Sequence, residues 1–262
     1  MVNLNVKSNY SLLSSMLRID DIIKVALDNK SKAAFLCDNN MYGVMEFYKK
    51  CRNNNIKPII GVNIHLELFE LYLYCRNYDG YKNIIKLTTI QNEREVNIND
   101  LEKYNTNLVT VLKYDNIKYY DQLENIFDML YIGIDNKEEE KNALNVTEKV
   151  IFFKECLYLE NLYLIRDGKT ISDEINYDIY HKELLNNTDL SPNSHNNILD
   201  IISMCDLLFP KSEILLPVYK IDNNMSPDKY LFELAKAGLR KRLGSEIPEK
   251  YQKRLSYELS II

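Results

Sequence analysis

Tryptophan is absent from the 262-residue chain, histidine occurs three times and glycine seven times. The three histidines, His65, His181 and His195, lie far apart, which argues against a zinc centre built from His and Cys. Five cysteines (Cys37, Cys51, Cys75, Cys156 and Cys205) form no C-x-x-C pair, so no zinc ribbon or dithiol redox motif is present. Dispersed thiols of this kind fit a reduced, cytoplasmic protein. No run approaches the roughly 18 apolar residues that span a bilayer, and no apolar signal region opens the sequence, so no membrane contact is expected. A basic excess is also missing. The chain carries 33 Lys+Arg against 38 Asp+Glu, net −5, which excludes a stand-alone nucleic-acid module relying on a global positive field. No P-loop, G-x-G-x-x-G or G-x-S-x-G occurs.

What is present suffices for a sizeable core. Apolar residues make up 46% of the chain, enough for one large α/β domain, or a domain of about 200 residues with an appendage. Asn, Ile, Lys, Leu and Tyr are abundant, the bias of an A+T-rich genome, and Asn53-Asn54-Asn55 reads as loop filler.

Two periods alternate along the first part of the chain. VNLNV predicts a short strand. RIDDIIKVALDN predicts a helix, with Ile19, Ile22, Ile23, Ala26 and Leu27 at helical spacing and Asp20 and Asp21 in its first turn. AAFLC is a continuous apolar run suited to a buried parallel strand. GVMEFYKKCRNNN is helical again, and Pro58 opens the strand PIIGVNIHLEL. Strands LYLYCR, NLVTVL, MLYIGI and VIFFKECLYL then interleave with helices DGYKNIIKLTTI, YYDQLENIFD and EEEKNALNVTE. Six or seven strands between helices predict a parallel, closed or nearly closed α/β barrel, whose function collects at the C-terminal ends of its strands. Beyond Asn161, ISDEINYDIYHKELLNN and NNILDIISMCDLL read as helices and FPKSEILLPVY as an extended connector. SPDKYLFELAKAGLRKRLG has a helix start at Ser226-Pro227 and a stop at Gly244. A last helix opens at Pro248 and ends uncapped on Ile261-Ile262, which predicts a piece of a longer polypeptide.

Several stretches together carry a resemblance. VKSNYSLLSS resembles V-H-S-x-Y-S-L-L-x-x. DNNMYGVMEFYKKCRNNNIKPIIG resembles H-x-N-M-Y-G-x-x-x-F-Y-x-x-x-x-x-x-x-I-K-P-I-I-G. NYDGYKNIIKLTT is similar to N-x-x-G-Y-x-N-L-x-K-L-x-S. LLPVY, DKYLFELAKAGLRKRLG and IPEKYQKRLSYELSII resemble a passage from a first domain into a polymerase palm. The family is the N-terminal PHP (polymerase and histidinol phosphatase) domain of bacterial DNA polymerase III α subunits, DnaE type. The match is weak over residues 95–150. It implies a distorted (β/α)7-type barrel over 1–210, then a helical connector and the truncated start of a palm over 211–262.

In metal-binding members, H-x-H, D-H, a Glu after I-I-G-C and a late D-x-H converge at the barrel mouth. There they hold divalent ions that activate water and clamp a phosphate ester. Here the H-x-H positions read Asn5 and Lys7, and the D-H positions read Cys37 and Asp38. A one-residue shift instead puts Asp38 at the Asp position and Asn39 at the His. The Glu position is Asn63, and the late motif reads Glu155 and Leu157. None of the seven keeps its family identity. An amide is a weak, uncharged ligand, leucine cannot ligate, and Lys7 places an ammonium where a metal ligand should be. Lys7 is therefore expected to replace a cation by pairing with Asp38 or Glu155, in a metal-free pocket without catalytic residues.

The resemblance thus implies an N-terminal piece of a replicative polymerase subunit. Its parent would extend primers with dNTPs and magnesium, while this domain scaffolds the palm and thumb, docks replisome proteins and meets DNA only through the intact polymerase. The alternative is a metal-dependent phosphoesterase or 3'-5' exonuclease with rearranged ligands Cys37, Asp38, Glu155 and His65. His65, two residues beyond Asn63 on one strand, points to the same side and reads as a surface or satisfied strand histidine. Tyrosines such as Tyr42, Tyr48, Tyr72 and Tyr74 read as packing residues, EEEK at 138–141 as an exposed acidic helix start, and KAGLRKRLG as a solvated face or domain contact.

Overall fold

The computed structural model describes residues 3–154, 191–210, 219–221 and 225–262. It divides into two compact units, Met1–Phe209 and Pro210–Ile262. In the first, six strands form one sheet in the order β1 (Ala33–Asp38), β2 (Lys57–His65), β3 (Glu70–Cys75), β4 (Leu108–Lys113), β5 (Leu130–Ile134) and β6 (Val150–Phe152). The helices are α1 (Ile19–Asp28), α2 (Val44–Asn53), α3 (Tyr78–Glu93), α4 (Ile98–Lys103), α5 (Tyr120–Glu124) and α6 (Lys137–Ala143), with a further helix at Pro192–Met204.

Strict alternation along the strands divides the sheet residues between two apolar clusters. Ala34, Leu36, Ile60, Val62, Leu71, Leu73, Ile132 and Ile134 face the layer that contains α1, α2 and α3. Phe35, Cys37, Ile59, Tyr72, Tyr74, Val111, Ile151 and Phe153 form the opposite, inner cluster. Tyr72 on β3 and Phe153 just beyond β6 meet edge-to-face with centroids 4.8 Å apart. In a flat sheet three strand spacings would separate them by about 14 Å, so the sheet curls towards this face, as a barrel wall does. Two glycines make room for these rings: a Cβ would fall 2.5 Å from the Tyr74 ring at Gly61, and 2.7 Å from Phe153 Cβ at Gly133.

The α/β barrel-type expectation holds, with local corrections. β3 is antiparallel to both β2 and β4, not parallel, because only the short segment between His65 and Glu70 separates it from β2, too little for a crossover helix. β1–β2, β4–β5 and β5–β6 are parallel, so five strands run in one direction. VNLNV is no strand: one bridge, Cys37 N–H to the Val6 carbonyl at 2.8 Å, ties it to β1. YYDQLENIFD is helical only over the short α5, which a 3-10 turn over Tyr114–Tyr119 precedes, and α4 escaped the periodicity because it spans only six residues. Tyr48 is partly buried and Tyr72 and Tyr74 are buried, but Tyr42 is not a packing residue; it is 77% exposed.

The helix Pro192–Met204 sits at the N-terminal end of the parallel strands. Ser191 caps it, and Ile198 and Ile201, with Cys205 just beyond it, enter the inner cluster. Lys57 Nζ donates to the Ile202 carbonyl (2.6 Å) and Arg52 to the Leu207 carbonyl (3.1 Å), placing cations at the helix's carbonyl end. At its start Glu140 accepts from the Ser191 N–H (3.1 Å), Ser191 Oγ (2.7 Å) and Ser194 Oγ (2.5 Å). The acidic run 138–141 is therefore not wholly solvated: Glu140 is buried because a helix start needs its acceptors.

In the second unit, helices Pro227–Leu243 and Glu249–Ile261 contain no buried residue. The first starts on Ser226, whose Oγ accepts from the Lys229 N–H, and stops at Gly244 with φ +86°. The helix expected over 171–187, most of the expected connector 209–219 and the continuation of the expected strand beyond Lys154 fall outside the described residues.

Candidate functional site

The C-terminal ends of the parallel strands carry the polar positions singled out in the sequence. Asp38 ends β1 and is buried. Its Oδ1 accepts from the Ser8 N–H (2.7 Å) and Ser11 Oγ (2.7 Å), and its Oδ2 from Ser8 Oγ (2.6 Å). Ser8 and Ser11 belong to one turn, closed by Ser11 N–H to the Ser8 carbonyl at 2.9 Å. Asn39 N–H donates to Ser11 Oγ, Asn40 Nδ2 to the Tyr10 carbonyl, and Tyr10 Oη to Glu46 Oε2. The S-x-Y-S and D-N-N-M-Y-G segments are thus knitted together around one carboxylate.

Burial pushes the Asp38 carboxyl above its ordinary pKa, while the Ser8 and Ser11 donors and the nearby Lys7 charge pull it back. Lys7 is buried, at 8% exposure, and its ammonium acts electrostatically on Asp38.

Asn5 and Asn63 have a different environment, although both side chains are fully buried. The Asn5 backbone N–H donates to Asn3 Oδ1 at 3.2 Å, but neither atom of the Asn5 side-chain amide has a hydrogen-bond partner. Asn63 Nδ2 donates to Glu70 Oε2 at 3.0 Å, while its Oδ1 is unpartnered, as is Asn39 Oδ1. Cys37 is buried in the inner apolar cluster, and Tyr74 Oη close by donates to the Leu4 carbonyl at 2.9 Å. Glu155 and Leu157 lie outside the described residues, as do Cys156 and His181; His195 is exposed on its helix.

Glu70 was not singled out in the sequence. At the start of β3 it faces His65 across the antiparallel pair, Oε1 lying 3.0 Å from His65 Nδ1. Tyr72 Oη also donates to its Oε2, at 3.1 Å. His65, with Asn63 and Tyr72 as further donors, holds the Glu70 carboxyl down to about 2. The signal was present, since Glu70, Tyr72 and Tyr74 share one strand face, but its meaning depended on the antiparallel register of β3. Lys113 ends β4 over the Tyr72 ring, 5.4 Å from its centroid.

Chemically this mouth brings together the saturated Asp38 carboxylate, the His65–Glu70 pair, buried amides and the ammonium groups of Lys7 and Lys113. Among the described residues no group of three or more His, Cys, Asp or Glu side chains is placed to hold a metal ion. Buried thiols are also held protonated: desolvation pushes Cys51 and Cys205 up to about 12, and Cys75 higher still.

The PHP domain family profile matches residues 3–162. A protein of Ureaplasma parvum serovar 3 named DNA polymerase III subunit alpha is 33% identical over 268 residues, covering 100% of this chain and 27% of that protein. Proteins of the same name from Staphylococcus aureus (strain COL) and Halalkalibacterium halodurans are 26% and 25% identical, over 99% and 100% of this chain and 26% and 28% of theirs. The chain spans about a quarter of the length of these curated relatives. No helix among the described residues is long and apolar enough to cross a membrane.

Proposed function

The chain belongs to the PHP domain family, and from that premise we propose that it is the N-terminal part of a cytoplasmic DNA polymerase III α subunit whose PHP pocket binds no metal and performs no phosphoester chemistry. The observation that carries this reading is the state of Asp38. Both its oxygens are already engaged by Ser8 and Ser11 donors, and Lys7 adds positive charge beside it. The other described positions of the ligand pattern offer only the amides of Asn5 and Asn63 and the apolar-packed thiol of Cys37. This donor set does not fit a catalytic divalent ion: a di- or trinuclear centre needs several anionic or imidazole ligands converging on each ion.

The domain's role is then mechanical. The barrel scaffolds the polymerase palm and thumb of the same polypeptide and presents its surface to replisome proteins. Residues 211–262 form a connector and the first helices of the palm, which fits two helices without a single buried residue. DNA, dNTPs and magnesium are handled by the downstream polymerase part. Elemental analysis of protein purified without chelator, with a phosphodiester hydrolysis assay in manganese, tests the pocket reading. Substoichiometric zinc, manganese and iron with no turnover are expected. Stoichiometric metal with hydrolysis lost on Asp38→Ala would establish the metallophosphoesterase instead. Sequencing through the reading frame tests the polymerase reading, which a stop codon directly after Ile262 would sink.

A further inference from the structure

The unpartnered amides at the mouth share one neighbourhood. The Val6 bridge to Cys37 sets Asn5 alongside the end of β1. Asp38, the last residue of β1, pairs with Val62, so Asn39 and Asn63 each follow directly on that last pair. Three adjacent chain segments thus bring a complete buried amide (Asn5) and two buried carbonyl oxygens (Asn39 Oδ1 and Asn63 Oδ1) to one end of the sheet. Native proteins leave few such groups without a partner, and two fully buried asparagines at this spot require one.

The chemistry of the group narrows its class. Three acceptors and one NH2 donor call for a ligand that both donates and accepts. Asp38 is saturated by its own donors and the Lys7 charge stands nearby, so neither a cation nor an anion finds a free counter-charge among these described groups. Water meets every condition: it is neutral and small, and a buried water makes about three bonds to polar groups otherwise unsatisfied.

We propose that a buried water cluster, bridged between the side-chain amides of Asn5 and Asn63, occupies the former metal position of this domain. The inference rests on the metal-free reading above and supplies what that reading lacks, an occupant that keeps polar strand ends in place without ions. Water also explains why asparagine suits these two positions, since an amide can bond the occupant as donor or acceptor.

High-resolution crystallography of the purified protein, with one set of crystals soaked in manganese, decides the matter. Spherical density within hydrogen-bond distance of Asn5 and Asn63, without manganese anomalous signal, is the expected result. In Asn5→Leu crystals the density on the Asn5 side should disappear while the Asp38–Ser8–Ser11 bonds persist. A manganese anomalous peak between these residues would overturn both the water cluster and the metal-free reading. A dry site, with the Asn5 amide bonded directly to protein groups, would overturn the water cluster alone.

Discussion

The two ends of the barrel are built from similar residues and differ in how far their polar groups are satisfied. At the N-terminal end, Glu140, Lys57 and Arg52 each reach a specific atom of the helix Pro192–Met204 or the segments flanking it, Asn197 of that helix reaches back to the Val150 carbonyl, and none of these four side chains has a polar atom left buried and unpaired. At the C-terminal end, Asp38 is as thoroughly satisfied, yet Asn5, Asn39 and Asn63 a few residues away are not. Packing drives both ends, since each is continuous with the inner apolar cluster. Among the described residues the N-terminal end has one buried unpaired atom, Arg76 Nε, whose backbone carbonyl accepts from the Asp206 N–H, whereas the mouth leaves one complete side-chain amide and two further amide oxygens without partners.

Substitutions should separate the two ends by size of effect. Glu140→Ala removes the acceptor for three donors of a buried helix start and is expected to cost about 3 kcal/mol in chemical denaturation. Amide exchange should rise first in Pro192–Met204. A cost below about 1 kcal/mol would show that this helix is not anchored by that carboxylate. Asp38→Asn comes next, at about 2 kcal/mol, because a carboxamide has one acceptor oxygen for three donors and turns an NH2 towards the rest. Asn5→Leu should cost least of the three, within about 1 kcal/mol, since no bond to a protein group is lost from its side chain. If it proved as damaging as Glu140→Ala, the contrast between the ends would collapse.

Acid sharpens the same comparison with a smaller effect. Glu70 is held near 2 in the folded protein by His65, Asn63 and Tyr72, below its ordinary value of 4.5. A depressed carboxyl stabilises the fold above its unfolded pKa, so that contribution is complete above about pH 5 and fades as pH falls towards 2. Glu70 is 42% exposed, so solvent screens part of it. Denaturation curves of wild type and Glu70→Gln should differ at pH 6 and converge near pH 2. Alkylation mapped by mass spectrometry should find Cys51, Cys75 and Cys205 unreactive until the protein unfolds, because each thiol is buried and held protonated.

Much of this fold was legible because its elements carry strong local signals. Ile19, Ile22, Ile23 and Ala26 bury one helix face, and the unbroken run Ala33–Asp38 is buried along its whole length. Ser226, Pro227 and Gly244 mark the limits of their helix as their chemistry requires. The orientation of β3 was not legible: a strand's own residues do not encode which way its neighbour runs. Glu140 was misread for a similar reason, since a lone glutamate in an acidic run is solvated unless a distant helix start comes to it.

The site divides along the same line. Local sequence placed Asn5, Lys7, Cys37, Asp38 and Asn63 at strand ends, where barrels gather their chemistry, because strand termini and motif spacing are short-range properties. Tertiary structure alone decided what those residues do. It committed Asp38 to Ser8 and Ser11, brought Glu70 from the next strand to Asn63 and His65, and left the Asn5 amide without a protein partner. A hydrogen bond joins groups tens of residues apart, and no period or spacing within one segment can specify its partner.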